Sequence, residues 1–125
     1  MSKPLFISLA DNSWQRAHYA FVLAASSLSI GRPVTLFAGG LSVFSLTHQW
    51  SNLINITPDH VLIDRNVASL QELRDACLEM GGVFLACEAG MALAKIMPED
   101  LIDGVEASGM VRFLAEIGDN SMIVV

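Results

Sequence analysis

A chain of 125 residues with 53% hydrophobic and only 16% charged residues has the length of one domain, 1–125, able to bury about 65% of its unfolded surface. Thirteen Asp and Glu against seven scattered Lys and Arg leave a formal charge of −6, so no basic patch exists to hold nucleic acid or an anionic membrane. The longest apolar stretch, around residues 19–30, is interrupted by Ser26, Ser27 and Ser29 and falls short of the ~20 residues a membrane span needs, so it reads as a buried helix.

The opening MSKPLFISLADNSW has a lone Lys3, a brief apolar run and then Asp11 and Asn12, unlike a signal or transit peptide, and a cytoplasmic location is expected. Two cysteines without Cys-x-x-Cys or Cys/His zinc spacing form neither a disulfide framework nor a structural metal site. Neither a G-x-G-x-x-G nor a Walker sequence is present, and no cofactor is expected.

Residues 4–9, PLFISL, read as a first strand with Pro4 at its start, and Asp11, Asn12 or Ser13 caps a helix from about Trp14 to Ile30. Its inward face is Ala17, Phe21, Ala24, Ala25 and Leu28, and Gly31 ends it. Residues 33–38 are a second strand, closing a β-α-β unit, and Gly39-Gly40 follows at once. A helix is expected over 41–50, packing through Val43, Phe44 and Leu46, and 51–68 reads as a long surface excursion.

Ser69 and Glu72 have capping-box spacing, predicting a helix over 70–80 with Leu70, Leu73, Ala76, Cys77 and Met80 inward. Gly81-Gly82 stops it before a strand at 83–87. A short helix at 88–95, one helical turn at 98–101, a short strand at 105–107, a helix at 109–117 and a last strand at 121–125 complete the chain. In the 109–117 helix Met110, Phe113, Leu114 and Ile117 share the packing face. Such alternation predicts an α/β fold, a parallel sheet with helices on both faces.

The chemistry is expected at Cys87, where the apolar run Val83-Phe84-Leu85-Ala86 ends and the next helix begins. Ligands of open α/β sheets bind beyond the carboxyl ends of the strands, and a helix N-terminus favours a thiolate. Glu88 opposes that by like charge, and no Lys or Arg adjoins to offset it. The plain alternative is an inert, buried cysteine, which is how Cys77 on its inward helix face is read. Asp11, Asn12, Ser13 and the Gly39-Gly40 turn should border the same cleft, with His18 within reach as a proton carrier. Capping alone accounts equally for the first three, and packing for His18; His48 and His60 have no spacing to another ligand. Gly39-Gly40 also has the form of a weak anion nest, and the acids Glu99, Asp100, Asp103 and Glu106 read as a solvated, helix-starting group rather than a metal site.

Three blocks in this order resemble the DsrE/DsrF-like family of small sulfur-relay proteins: Asp11 with Arg16-Ala17-His18-Tyr19-Ala20; Gly31-Arg32-Pro33-Val34-Thr35-Leu36-Phe37; and Ala86-Cys87 through Glu99-Asp100-Leu101-Ile102-Asp103-Gly104-Val105-Glu106. The resemblance spans nearly all of the chain outside residues 41–68. It implies a three-layer α/β/α domain of flavodoxin-like architecture with a five-stranded, mostly parallel sheet, assembled as trimers or hexamers. It also implies that Cys87 carries sulfane sulfur as a persulfide between donor and acceptor proteins, in the manner of a sulfurtransferase. Two other functions stay open beside it: a non-catalytic assembly subunit with a structural cysteine, suggested by the apolar excess, and a small-ligand or anion-binding module at Gly39-Gly40.

Overall fold

The computed structural model describes residues 3–125; Met1 and Ser2, which begin the segment read as lacking a leader, lie outside the described residues. Five strands, β1 (Leu5–Leu9), β2 (Val34–Ala38), β3 (Val83–Cys87), β4 (Val105–Ser108) and β5 (Met122–Val124), form one sheet in the order β4-β3-β2-β1-β5. Every pairing is parallel, with Ile7 beside Leu36 and Ile123, and Cys87 beside Ser108. The helices are α1 (Trp14–Ser29), α2 (Asp59–Asp64), α3 (Leu70–Glu79), α4 (Glu88–Ala94) and α5 (Met110–Ile117), with 3-10 turns at Gly40–Leu46 and Pro98–Asp100. None is long and apolar enough to cross a membrane.

Strand residues alternate between two cores, as the pleat requires. Ile7, Leu9, Leu36, Phe84 and Ala86 pack with Ala17, Phe21 and Ala24 of α1 and with Leu70 and Cys77 of α3. Phe6, Phe37 and Leu85 point the other way, onto Phe113 and Ile117 of α5. Phe113 stacks on Phe37 with ring centres 4.8 Å apart, and its edge meets Phe6 at 6.1 Å. The chain steps in one direction from β1 to β4 and then returns past β1 to β5. With right-handed crossovers such a reversal moves the connecting helix to the opposite face, which is where α5 lies.

Local chemistry set most of these boundaries. Ser13 caps α1 by accepting from the Arg16 N–H at 3.2 Å, and Ser69 and Glu72 form the reciprocal capping box of α3. Over 40–46 the expected α-helix is a 3-10 turn instead. The hydroxyls of Ser42, Ser45 and Thr47 each donate to the carbonyl three residues back, at 2.6–2.7 Å, competing with regular α-helical bonding. The excursion at 51–68 is not structureless either: it contains α2 and exchanges backbone hydrogen bonds with the β1–α1 turn through Ile54.

Three side chains expected inward are largely exposed. Met80 lies at the end of α3, and Met110 and Leu114 of α5 stand clear because that helix rests on the sheet only through Phe113 and Ile117. Arg74 is the reverse case. It occupies the inward stripe of α3 between Leu70 and Cys77, 3% exposed, and its Nη1 donates at 2.8 Å to both Ser45 O and Thr47 O. The guanidinium also lies over the Trp50 ring, 4.6 Å from its centre, so a buried cation meets carbonyls at the end of the 3-10 turn and an aromatic face. Burial lowers its pKa, and Asp75 partly opposes that.

Candidate functional site at the end of the third strand

Cys87 is the last residue of β3 and the N-cap of α4, with extended backbone angles (φ −64°, ψ 121°). Its Sγ accepts a hydrogen bond from the Gly90 N–H at 3.4 Å, the service that Ser, Thr, Asp or Asn usually performs at this position. The side chain is half-buried and touches both cores, because it sits where the sheet ends and neither helical layer fully covers it.

Packing fixes that amide. A Cβ on Gly90 would run into the carbonyl oxygen of Gly40 and lie 3.0 Å from Val43 Cγ1, so the first turn of α4 rests directly on the 3-10 turn. Gly40 in turn has φ +50°, and a Cβ there would come within 2.5 Å of Ala10 O. The Gly39-Gly40 turn therefore backs the thiol site by close backbone approach, and packing accounts for both of its glycines.

Glu88, exposed in the first turn of α4, extends its Oε1 to within 3.5 Å of where a side chain on Gly109 would begin. That places its carboxylate at the start of α5, where a negative charge is favoured. Beside Cys87 on β4, Ser108 is buried, its hydroxyl donating to Gly109 O at 3.2 Å. Cys77 is a different thiol altogether: fully buried, donating to Phe21 O at 3.8 Å, its pKa pushed up by desolvation to about 11. It lies near the start of the strand that Cys87 ends, and both cysteines are free.

The three turns of the expected cleft do follow adjacent strands, but their side chains diverge. Asp11 accepts from Ser13 N–H and pairs with Arg16 at 2.5 Å, while the Asn12 carbonyl accepts from Ile54 N–H. His18 Nε2 donates to Ala68 O at 2.8 Å and its ring stacks on Trp14, with centres 4.7 Å apart. Asp11, Ser13 and His18 line a cavity of about 670 Å³ with Tyr19 and Ile54, away from the thiol. Cys87 and Glu88 are thus brought together with the backbone of the Gly39-Gly40 turn, whereas the side chains of Asp11, Ser13 and His18 and the carbonyl of Asn12 are engaged elsewhere. No group of three or more His, Cys, Asp or Glu among the described residues is placed to hold a metal.

Sequence reasoning missed Gly90, whose amide and missing side chain build the thiol site. Its signal was faint: a glycine in the first turn of a helix that otherwise reads as Ala, Leu and Met.

Two solved structures share the fold at low identity. The ychN protein from E. coli superposes with a TM-score of 0.65 at 14% identity, covering 98% of this chain and 99% of that one. A protein of unknown function from Methanobacterium thermoautotrophicum, MTH1491, gives a TM-score of 0.71 at 13% identity, with both chains fully covered. A comparison with curated protein sequences returns no match. The family described as DsrE/DsrF/DrsH-like matches residues 40–124, a span running from the Gly40 turn through Cys87 to β5, and the chain belongs to that family.

Proposed function

We propose that this chain is a cytoplasmic sulfur-relay protein that carries sulfane sulfur as a persulfide on Cys87. The observation that carries the reading is the Cys87 sulfur itself, half-exposed at the strand end with the Gly90 amide directed at it. The thiolate attacks the outer sulfur of a donor persulfide or polysulfide, a new S–S bond forms on Cys87, and the donor leaves one sulfur shorter. An acceptor thiolate then takes the outer sulfur and Cys87 leaves as thiolate. No resolving cysteine in the chain is needed, because donor and acceptor proteins bring their own thiols.

The same reading includes assembly into a trimer or hexamer. Met110, Val111 and Leu114 of α5 and Met122, Ile123 and Val124 of the edge strand β5 are exposed, and an apolar edge strand offers a surface on which a second copy can pack. That surface also favours the second reading, an assembly subunit whose cysteine only caps a helix.

Intact-mass measurement after treatment with inorganic polysulfide separates the two. One added sulfur atom is expected, absent in Cys87→Ser and removed by cyanide, which takes sulfane sulfur. A Cys87 that never gains sulfur while remaining alkylatable would overturn the relay and leave the assembly reading.

A further inference from the structure

At the opposite end of α4 from Cys87, roughly 10 Å along the helix, the backbone adopts a conformation that the resident side chain does not suit. Lys95 closes α4 with φ 57° and ψ 38°. The helix end has the Schellman pattern, Ile96 N–H to Met91 O at 2.9 Å and Lys95 N–H to Ala92 O at 3.3 Å, at a position glycine normally takes. Three non-glycine residues among those described have positive φ, namely Asn55, Asn66 and Lys95. Asparagine visits this region at little cost; lysine has no local hydrogen bond to offset it. A strained residue retained where glycine would fit calls for a use of its side chain.

That side chain borders a cavity of about 420 Å³, the small end of the range for ligand sites. His48, Gln49 and Asn52 also line it, and Phe44 and Ile96 supply apolar surface. The only carboxylate among the lining residues, Asp100, turns back to accept from the Met97 N–H at 2.8 Å. No described carboxylate pairs with Lys95, a state it shares with Lys3, Arg32, Arg65 and Arg74, so its charge is free to meet a ligand. The wall at 47–48 is preformed: Arg74 holds Thr47 O from beneath, and His48 N–H donates to Asp100 O at 3.0 Å.

From this conjunction we infer that the cavity binds a small organic anion, its carboxylate or phosphate on Lys95 and the donors of His48, Gln49 and Asn52, and its apolar part against Phe44 and Ile96. The inference is independent of persulfide chemistry, and its test reads binding alone.

Titration of the full chain with benzoate, phenyl phosphate and neutral benzyl alcohol, followed by amide chemical shifts, tests it. At least one anion should bind more tightly than benzyl alcohol and shift Lys95 and its neighbours. A preference for benzoate identifies a carboxylate ligand, and one for phenyl phosphate a phosphate ester. Lys95→Gly should weaken that anion tenfold or more while raising the melting temperature, and Lys95→Arg should retain binding. Anions no better than benzyl alcohol, undiminished binding in Lys95→Gly, or a lower melting temperature for that variant, which would make Lys95 a structural cap for α4, would each overturn the inference.

Discussion

The two cysteines sit near opposite ends of one strand and differ in nearly everything that governs a thiol. Cys77 lies in the core between α1 and the sheet, with a carbonyl as its only polar contact, and desolvation raises its pKa from an ordinary value near 9.0 to about 11. Cys87 ends β3, half-buried, with an amide N–H pointing at its sulfur. Depth is what keeps the Cys77 thiol protonated, and Cys87 differs from it both in lying only partly buried and in accepting its hydrogen bond where Cys77 donates one.

The largest consequence is kinetic. At pH 8 a thiol with a pKa near 11 is about 0.1% ionised, and Cys77 is closed to reagents as well. Brief iodoacetamide treatment of the native protein, read by peptide mass spectrometry, should label Cys87 at least about a hundredfold faster than Cys77. Comparable labelling would erase the distinction.

A second consequence concerns pH. Because burial holds the proton on Cys77 in the folded chain, the unfolded chain releases it first as pH rises. Stability from this group is therefore complete below about pH 9 and is lost toward pH 11, by roughly 2 kcal/mol. Urea unfolding of wild type against Cys77→Ala across that window should show the excess slope in the wild type alone.

The smallest effects come from exchanging sulfur for oxygen. Cys77→Ser puts a hydroxyl into a fully buried apolar site with one weak partner and should cost about 1–3 kcal/mol. Cys87→Ser exchanges a sulfur cap for a preferred one and should change stability by less than about 0.5 kcal/mol, in either direction. Denaturant midpoints check both, and a large loss at Cys87 would show a packing role instead of a capping one.

The sheet was legible because its signals are local. Buried parallel strands read as short apolar runs bounded by Gly, Pro or polar residues, and Ser69 with Glu72 announced α3 by spacing alone. Cys87 as the residue joining strand to helix was legible for the same reason. The 3-10 turn was not, since apolar spacing at Val43, Phe44 and Leu46 fits either winding and the deciding bonds came from three hydroxyls. Arg74 falls at i, i+4 and i+7 with Leu70 and Cys77, a stripe readable in the sequence, yet its partners lie 27 and 29 residues away and nothing local announces them. The same holds for Gly90 against Gly40 and for the residues that line the cavity with Lys95, because both arise where segments distant in sequence meet.

One measurement bears on the relay most directly, since both thiols report in it together. The native chain is treated with inorganic polysulfide, alkylated and digested, and the two cysteine peptides are weighed. The expected result is one extra sulfur on the Cys87 peptide and none on the Cys77 peptide. A Cys87 peptide that is alkylated but never heavier by a sulfur atom would contradict sulfur carriage at this site.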